Sequence, residues 1–193
     1  MVMERLRKRV ERQATRIGLL LSRVSSNPDV YTFLGLALAW TSPVLVYWRH
    51  LLAGAIMIPV SGLVDVFDGA VARATKRASK RGEFLDSVLD RFSDTAYFYA
   101  LLGYGFQAEI VLVGLSLALS ISYVRAKGEV LGVEMRGVGL MERGDRILAI
   151  TLIALLAALG LWSISRVLLW ALVILMAYTV ASRSWRVIKA LTG

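Results

Sequence analysis

Four aspartates sit at helical spacing within sequence that is otherwise apolar. Asp65 and Asp68 are three residues apart, in Asp65-Val66-Phe67-Asp68-Gly69-Ala70-Val71-Ala72-Arg73. Asp86 and Asp90 are four apart, in Gly82-Glu83-Phe84-Leu85-Asp86-Ser87-Val88-Leu89-Asp90-Arg91. On a helix each pair shares a face. A short segment joins the two stretches, so the pairs can face each other and four carboxylates converge. A charged side chain at the centre of a membrane span costs about 2.5–3.5 kcal/mol on insertion scales, and neighbouring carboxylates repel as well. A bound divalent cation offsets both effects. Oxygen-only ligands favour Mg²⁺, Mn²⁺ or Ca²⁺ over zinc. Two plainer readings compete: ion pairing with Arg73, Arg91 and nearby lysines, or wetted positions beyond the membrane. Gly69 and Ala72 stand beside the first pair, and Gly82 opens the second stretch. Such small residues let a ligand approach the backbone or let helices pack closely. Arg73, one turn past Gly69, is placed to hold a phosphate bidentately. Metal, glycine and arginine together point to a pyrophosphate ligand.

These residues must be carried by a membrane fold. The chain has 193 residues, 57% of them hydrophobic, and its mean hydropathy is +0.63. That exceeds what a soluble domain of this size can hide in its core. The expectation is an all-α integral membrane protein, a single domain over 1–193, with no second soluble domain. Cysteine is absent, which excludes disulfides, thiolate metal sites and cysteine nucleophiles. The one histidine, His50, excludes a multi-histidine zinc site and reads as an interfacial residue. Six transmembrane helices are expected at about 30–48, 51–73, 84–106, 108–126, 145–163 and 165–184, forming a bundle over 30–184. With six spans the N-terminal arm, the 73–82 segment, the 125–146 segment and the C-terminal end, all rich in Lys and Arg, fall on one side. The positive-inside rule makes that side cytoplasmic. Both termini and the acidic site would lie there. Trp48 and Trp162 fall near the opposite interface, where aromatic belts belong. Residues 1–24 carry Arg5, Lys8, Arg12 and Arg16 at helical spacing, with Val10, Ile17, Leu20 and Leu21 as apolar positions. They read as an N-terminal amphipathic helix on the membrane surface, or else as a solvated basic arm. They do not resemble a cleaved signal peptide, since the first apolar run is too short. The net charge of +9 flanks apolar spans, so anionic lipid headgroups explain it better than nucleic acid.

The pattern Asp65-x2-Asp68-Gly69-x2-Ala72-Arg73-x8-Gly82-x3-Asp86-x3-Asp90 resembles the complete signature of the CDP-alcohol phosphatidyltransferases. All eight signature positions match at the family's spacing, across 26 residues, and the six-span layout extends the likeness to the whole chain. The resemblance implies transfer of a phosphatidyl-type group from a CDP-linked lipid to an alcohol, release of CMP, and a homodimer. It implies that Asp65, Asp68 and Asp86 bind two metal ions, Mg²⁺ or Mn²⁺. Asp90 would also touch the metal site and act as general base. Gly69, Ala72, Arg73 and Gly82 would line the nucleotide and pyrophosphate with the two aspartates. Pro28 and Thr32 resemble the family's entry into the first span. Asp29 stands where the family often has Asn.

A phosphorylated acceptor needs further cations. The fourth-to-fifth connection reads Ser122-Tyr123-Val124-Arg125-Ala126-Lys127, then Glu142-Arg143-Gly144-Asp145-Arg146. Ser122, Lys127, Arg143 and Arg183 are candidates for a phosphate pocket, against the plain alternative of positive-inside charges. These blocks resemble the prokaryotic phosphatidylinositol-phosphate synthases and their archaeal archaetidylinositol counterparts. In those enzymes the matching residues hold inositol phosphate. Lys127 stands where some members have Arg, which keeps charge but loses the bidentate fork. Glycerol phosphate is the alternative acceptor. A membrane transporter with a cation site and a non-catalytic scaffold are the alternatives of other classes.

Overall fold

A computed structural model describes residues 17–135 and 137–192. Among these every regular element is helical. A helical turn over 17–21 is followed by α1 (Pro28–Tyr47), α2 (Leu51–Ala74), α3 (Lys80–Tyr104), α4 (Ala108–Val130), α5 (Arg143–Ala158) and α6 (Trp162–Thr192). Most of the predicted amphipathic helix, residues 1–16, lies outside the described residues.

Local chemistry sets the helix ends. Pro28 occupies the first position of α1, where its missing N–H costs nothing, and Asn27 Oδ1 accepts the Asp29 N–H at 3.2 Å. Ser79 Oγ accepts the Gly82 N–H at 3.1 Å, so α3 begins at Lys80 rather than at the first apolar residue. Glu142 and Asp145 form a reciprocal capping box at α5. Gly160, at φ +78°, ends that chain segment with the Leu161 N–H bonded to the Leu156 carbonyl. The fifth helix therefore stops at Ala158, several residues short of the expected span. α6 runs eight residues past the apolar stretch, because Arg183, Arg186 and Lys189 end the hydrophobicity without ending the helix.

α1, α2, α4 and α6 are each long and apolar enough to cross a membrane. Many of their large apolar side chains are exposed, among them Phe33, Leu63, Leu112, Val167 and Ile174. A bilayer is the solvent that suits such a surface. The protein is a multi-pass membrane protein. α3 carries seven charged residues between Lys80 and Asp94, and α5 has only 16 residues, about 24 Å of rise.

The chain divides into two compact units. One comprises Met1–Trp40, described from Ile17, with Val60–Ser93; the other comprises Thr41–Pro59 with Asp94–Gly193. In the first unit the 17–21 turn packs on α2: a methyl at Gly18 would come 2.3 Å from the Ala70 carbonyl oxygen. Tyr31 Oη donates to the Leu21 carbonyl at 2.7 Å. In the second unit α6 packs on α4 and α5. Leu169, Leu172, Val173 and Met176 form the buried stripe of α6; Ile150, Ile153, Ala154 and Ala157 form that of α5. Ser165 Oγ donates to the Ile153 carbonyl at 2.8 Å.

Candidate active site

Two helices of the first unit approach closely at Gly35, where a methyl would lie 3.4 Å from the Asp65 nitrogen. One turn away on each helix, Thr32 Oγ1 donates a buried 2.7 Å hydrogen bond to Asp68 Oδ2. α2 thus holds Asp65 and Asp68 on its buried side, 8% and 9% exposed. α3 supplies Asp86, which is half-buried. One oxygen from each of the three carboxylates lies within 4.8 Å of the others. Asp90 stands one turn further along α3, half-buried, and is not one of these three. Three convergent carboxylates in a poorly solvated place repel unless a cation joins them. Their all-oxygen donor set fits a hard divalent ion. Thr32 is a natural outer partner, since its hydrogen bond orients the Asp68 carboxylate.

A cavity of about 640 Å³ opens beside the cluster. Of the sequence-predicted nucleotide residues, Pro28, Thr32, Asp68, Gly69, Ala72, Arg73 and Gly82 line it, and Asp65 does not. Asp86 lines it as well. The Arg73 guanidinium folds back toward Gly69: a methyl there would come 3.1 Å from Nη1. The sequence reading missed Arg77, Ser79, Lys80 and Arg81, which also line the cavity. Arg77 Nη1 donates to the Ser26 carbonyl and hydroxyl, each at 3.1 Å, and Arg81 pairs with Asp29 at 3.0 Å. These cations read in sequence as positive-inside charges. Their distance from Ser26 and Asp29 along the chain hid the pairing.

The predicted acceptor residues all belong to the second unit. Arg183 is buried, with Nε donating to the Val138 carbonyl at 2.8 Å and Nη1 to the Ile121 carbonyl at 3.1 Å. It ties the 131–142 connection to α4, beside Ser122, whose hydroxyl donates to Ala118. Thr179 Oγ1 accepts the Leu140 and Met141 N–H groups on the same connection. Lys127 is exposed and Arg143 half-buried. Sequence reasoning gave no role to Asp94, which is 3% exposed and bonded to Arg146 Nη2 at 2.8 Å. The one signal was spacing: Asp94 continues the four-residue series of Asp86 and Asp90.

The fold and site are those of a polytopic membrane protein with a carboxylate cation centre beside a basic, glycine-lined cavity. The CDP-alcohol phosphatidyltransferase family model matches residues 26–181, and the chain belongs to that family and is an enzyme of that class. Relatives sharpen the likeness. The chain is 45% identical over 181 residues to the archaetidylinositol phosphate synthase of Aeropyrum pernix, covering 90% of this chain and 93% of that one. It is 33% identical over 177 residues to the phosphatidylinositol phosphate synthase of Corynebacterium glutamicum, with coverage of 86% and 80%. The crystal structure of the Mycobacterium tuberculosis phosphatidylinositol phosphate synthase with CDP-DAG bound superposes with a TM-score of 0.79. Its identity is 30%, over 91% of this chain and 94% of that one. A second structure of that enzyme holds manganese and citrate, with a TM-score of 0.79, 30% identity and coverage of 90% and 88%.

Proposed function

We propose that the chain transfers the lipid-bearing phosphate of a CDP-linked lipid, CDP-diacylglycerol or CDP-archaeol, to a hydroxyl of inositol phosphate. The acceptor oxygen forms the new bond to phosphorus, the bond to the CMP oxygen breaks, and the hydroxyl proton leaves. The observation that carries this reading is the Asp65–Asp68–Asp86 cluster bordering the cavity of Gly69, Ala72 and Arg73. The names of the relatives supply the acceptor.

Asp65, Asp68 and Asp86 hold the divalent ions, Mg²⁺ or Mn²⁺, two in number. When bound, such ions neutralise the pyrophosphate and stabilise the departing oxygen. Asp90 accepts the proton of the attacking hydroxyl. Pro28, Thr32, Gly69, Ala72 and Gly82 shape the nucleotide cavity, and Arg73 takes a phosphate oxygen. Ser122, Lys127, Arg143 and Arg183 receive the phosphate of the acceptor. The chain acts as one domain with six spans, both termini and the active site on the cytoplasmic side, and assembles as a homodimer.

The test is CMP release by purified protein reconstituted with each CDP-lipid and labelled inositol phosphate, with and without metal. Metal-dependent formation of the labelled lipid is expected, lost with EDTA and restored by Mg²⁺ or Mn²⁺. Transfer to glycerol phosphate instead would overturn the acceptor. No CMP release with any alcohol would overturn the enzyme reading.

A further inference from the structure

One buried carboxylate of the second unit serves two arginines. Asp94 Oδ2 accepts from Arg146 Nη2 at 2.8 Å, and Asp94 Oδ1 lies 3.7 Å from Arg143 Nε. Arg143 and Arg146 are three residues apart on the first turn of α5, so both turn toward the same neighbour. They differ in access. The Arg146 side chain is 2% exposed and that of Arg143 is 23% exposed. Arg146 Nε has no hydrogen-bond partner among the described residues. Two guanidiniums thus face one buried acid. A purely structural pair would be balanced one to one, because an unbalanced buried charge is costly. A phosphate monoester supplies the missing negative charge.

We propose that Asp94 is the positioning residue of the acceptor-phosphate site. Asp94 and Arg146 form a fixed brace, and the second oxygen of Asp94, 3.7 Å from Arg143 Nε, holds the more accessible Arg143 guanidinium near it by charge. This inference rests on the reading that Arg143 receives the acceptor phosphate. A guanidinium already drawn to its place before the ligand arrives loses less freedom on binding. The acceptor is therefore the substrate that senses Asp94, and the CDP-lipid is not.

The experiment measures kcat and both KM values for Asp94→Asn, Arg143→Gln and the double variant, with CDP-lipid, Mn²⁺ and inositol phosphate. Asp94→Asn is expected to raise the acceptor KM about tenfold or more, with the CDP-lipid KM unchanged within about twofold. The double variant should be no worse than Arg143→Gln alone, because Asp94 acts through Arg143. Asp94→Glu keeps the charge but displaces the oxygens, so it tests positioning even if the Asn variant fails to fold. It should raise the acceptor KM while the protein still unfolds in one cooperative transition and keeps its CDP-lipid KM. An acceptor KM unchanged or lowered in Asp94→Asn, an equal rise in both KM values, or additive effects in the double variant would overturn the proposal. An acceptor KM unmoved by Arg143→Gln would instead remove the underlying reading of Arg143.

Discussion

At the residue scale, the Thr32 hydroxyl and the Asp68 carboxylate are coupled at 2.7 Å in a buried setting. Removing the donor takes that bond, and the orientation it gives, from the carboxylate. Thr32→Val, close in shape, should weaken metal affinity by about 10–100-fold, the range seen when outer partners of metal ligands are lost. The Mn²⁺ concentration for half-maximal CMP release measures it; an unchanged value would make Thr32 a packing residue. Asp90 separates from the other three aspartates because it is not in the three-oxygen cluster. Asp90→Asn should therefore retain Mn²⁺ binding, read by electron paramagnetic resonance, while turnover falls by at least ~100-fold, the lower range of general-base contributions. Loss of metal binding in that variant would make Asp90 chiefly a ligand.

At the element scale, the connection over 131–142 is held by α6. Gly139 sits at φ +94°, and a methyl there would come 2.4 Å from Thr179 Cγ2. The left-handed region costs an ordinary residue about 1–2 kcal/mol before any clash. Gly139→Ala should lower the melting temperature in detergent by several degrees, whereas Gly144→Ala, at a position open to a methyl, should not. Equal melting curves would show that the connection adjusts freely. Much of this architecture was legible in the sequence. Asp65, Asp68 and Asp86 stood out because carboxylates at periods of three and four inside apolar sequence are costly unless a cation joins them. The long helices followed from hydropathy. The Asp94–Arg146 pair did not, since its members lie 52 residues apart and each fits a local pattern: an acidic series for one, a basic helix start for the other. Arg183 was legible as a candidate for the phosphate pocket but not as a buried donor to the Val138 and Ile121 carbonyls, because backbone partners leave no trace in side-chain pattern. Helix ends differed where charge stopped the apolar run but not the helix, as in α3 and α6.

At the scale of the whole molecule, the absence of cysteine permits single-site labelling without background. Ser79→Cys and Leu140→Cys should react with an impermeant maleimide only from the cytoplasmic side, and Gln107→Cys and Leu161→Cys only from the other. Labelling of Ser79→Cys and Gln107→Cys from the same side would refute the six-span arrangement. The brevity of α5 has a consequence for the surrounding lipid. Beyond Arg146 the helix offers only Ile147–Ala158 as uncharged length, about 18 Å against a hydrocarbon thickness of about 30 Å. If α5 is one of the six proposed spans, lipid beside it must thin, or headgroups and water must dip toward the helix start. A polar acceptor would then have less hydrocarbon to penetrate there. Turnover in reconstituted bilayers should fall as acyl chains lengthen from 14 to 22 carbons, with CDP-lipid at saturation. A membrane's thickness would in this way set the rate at which the enzyme works in it.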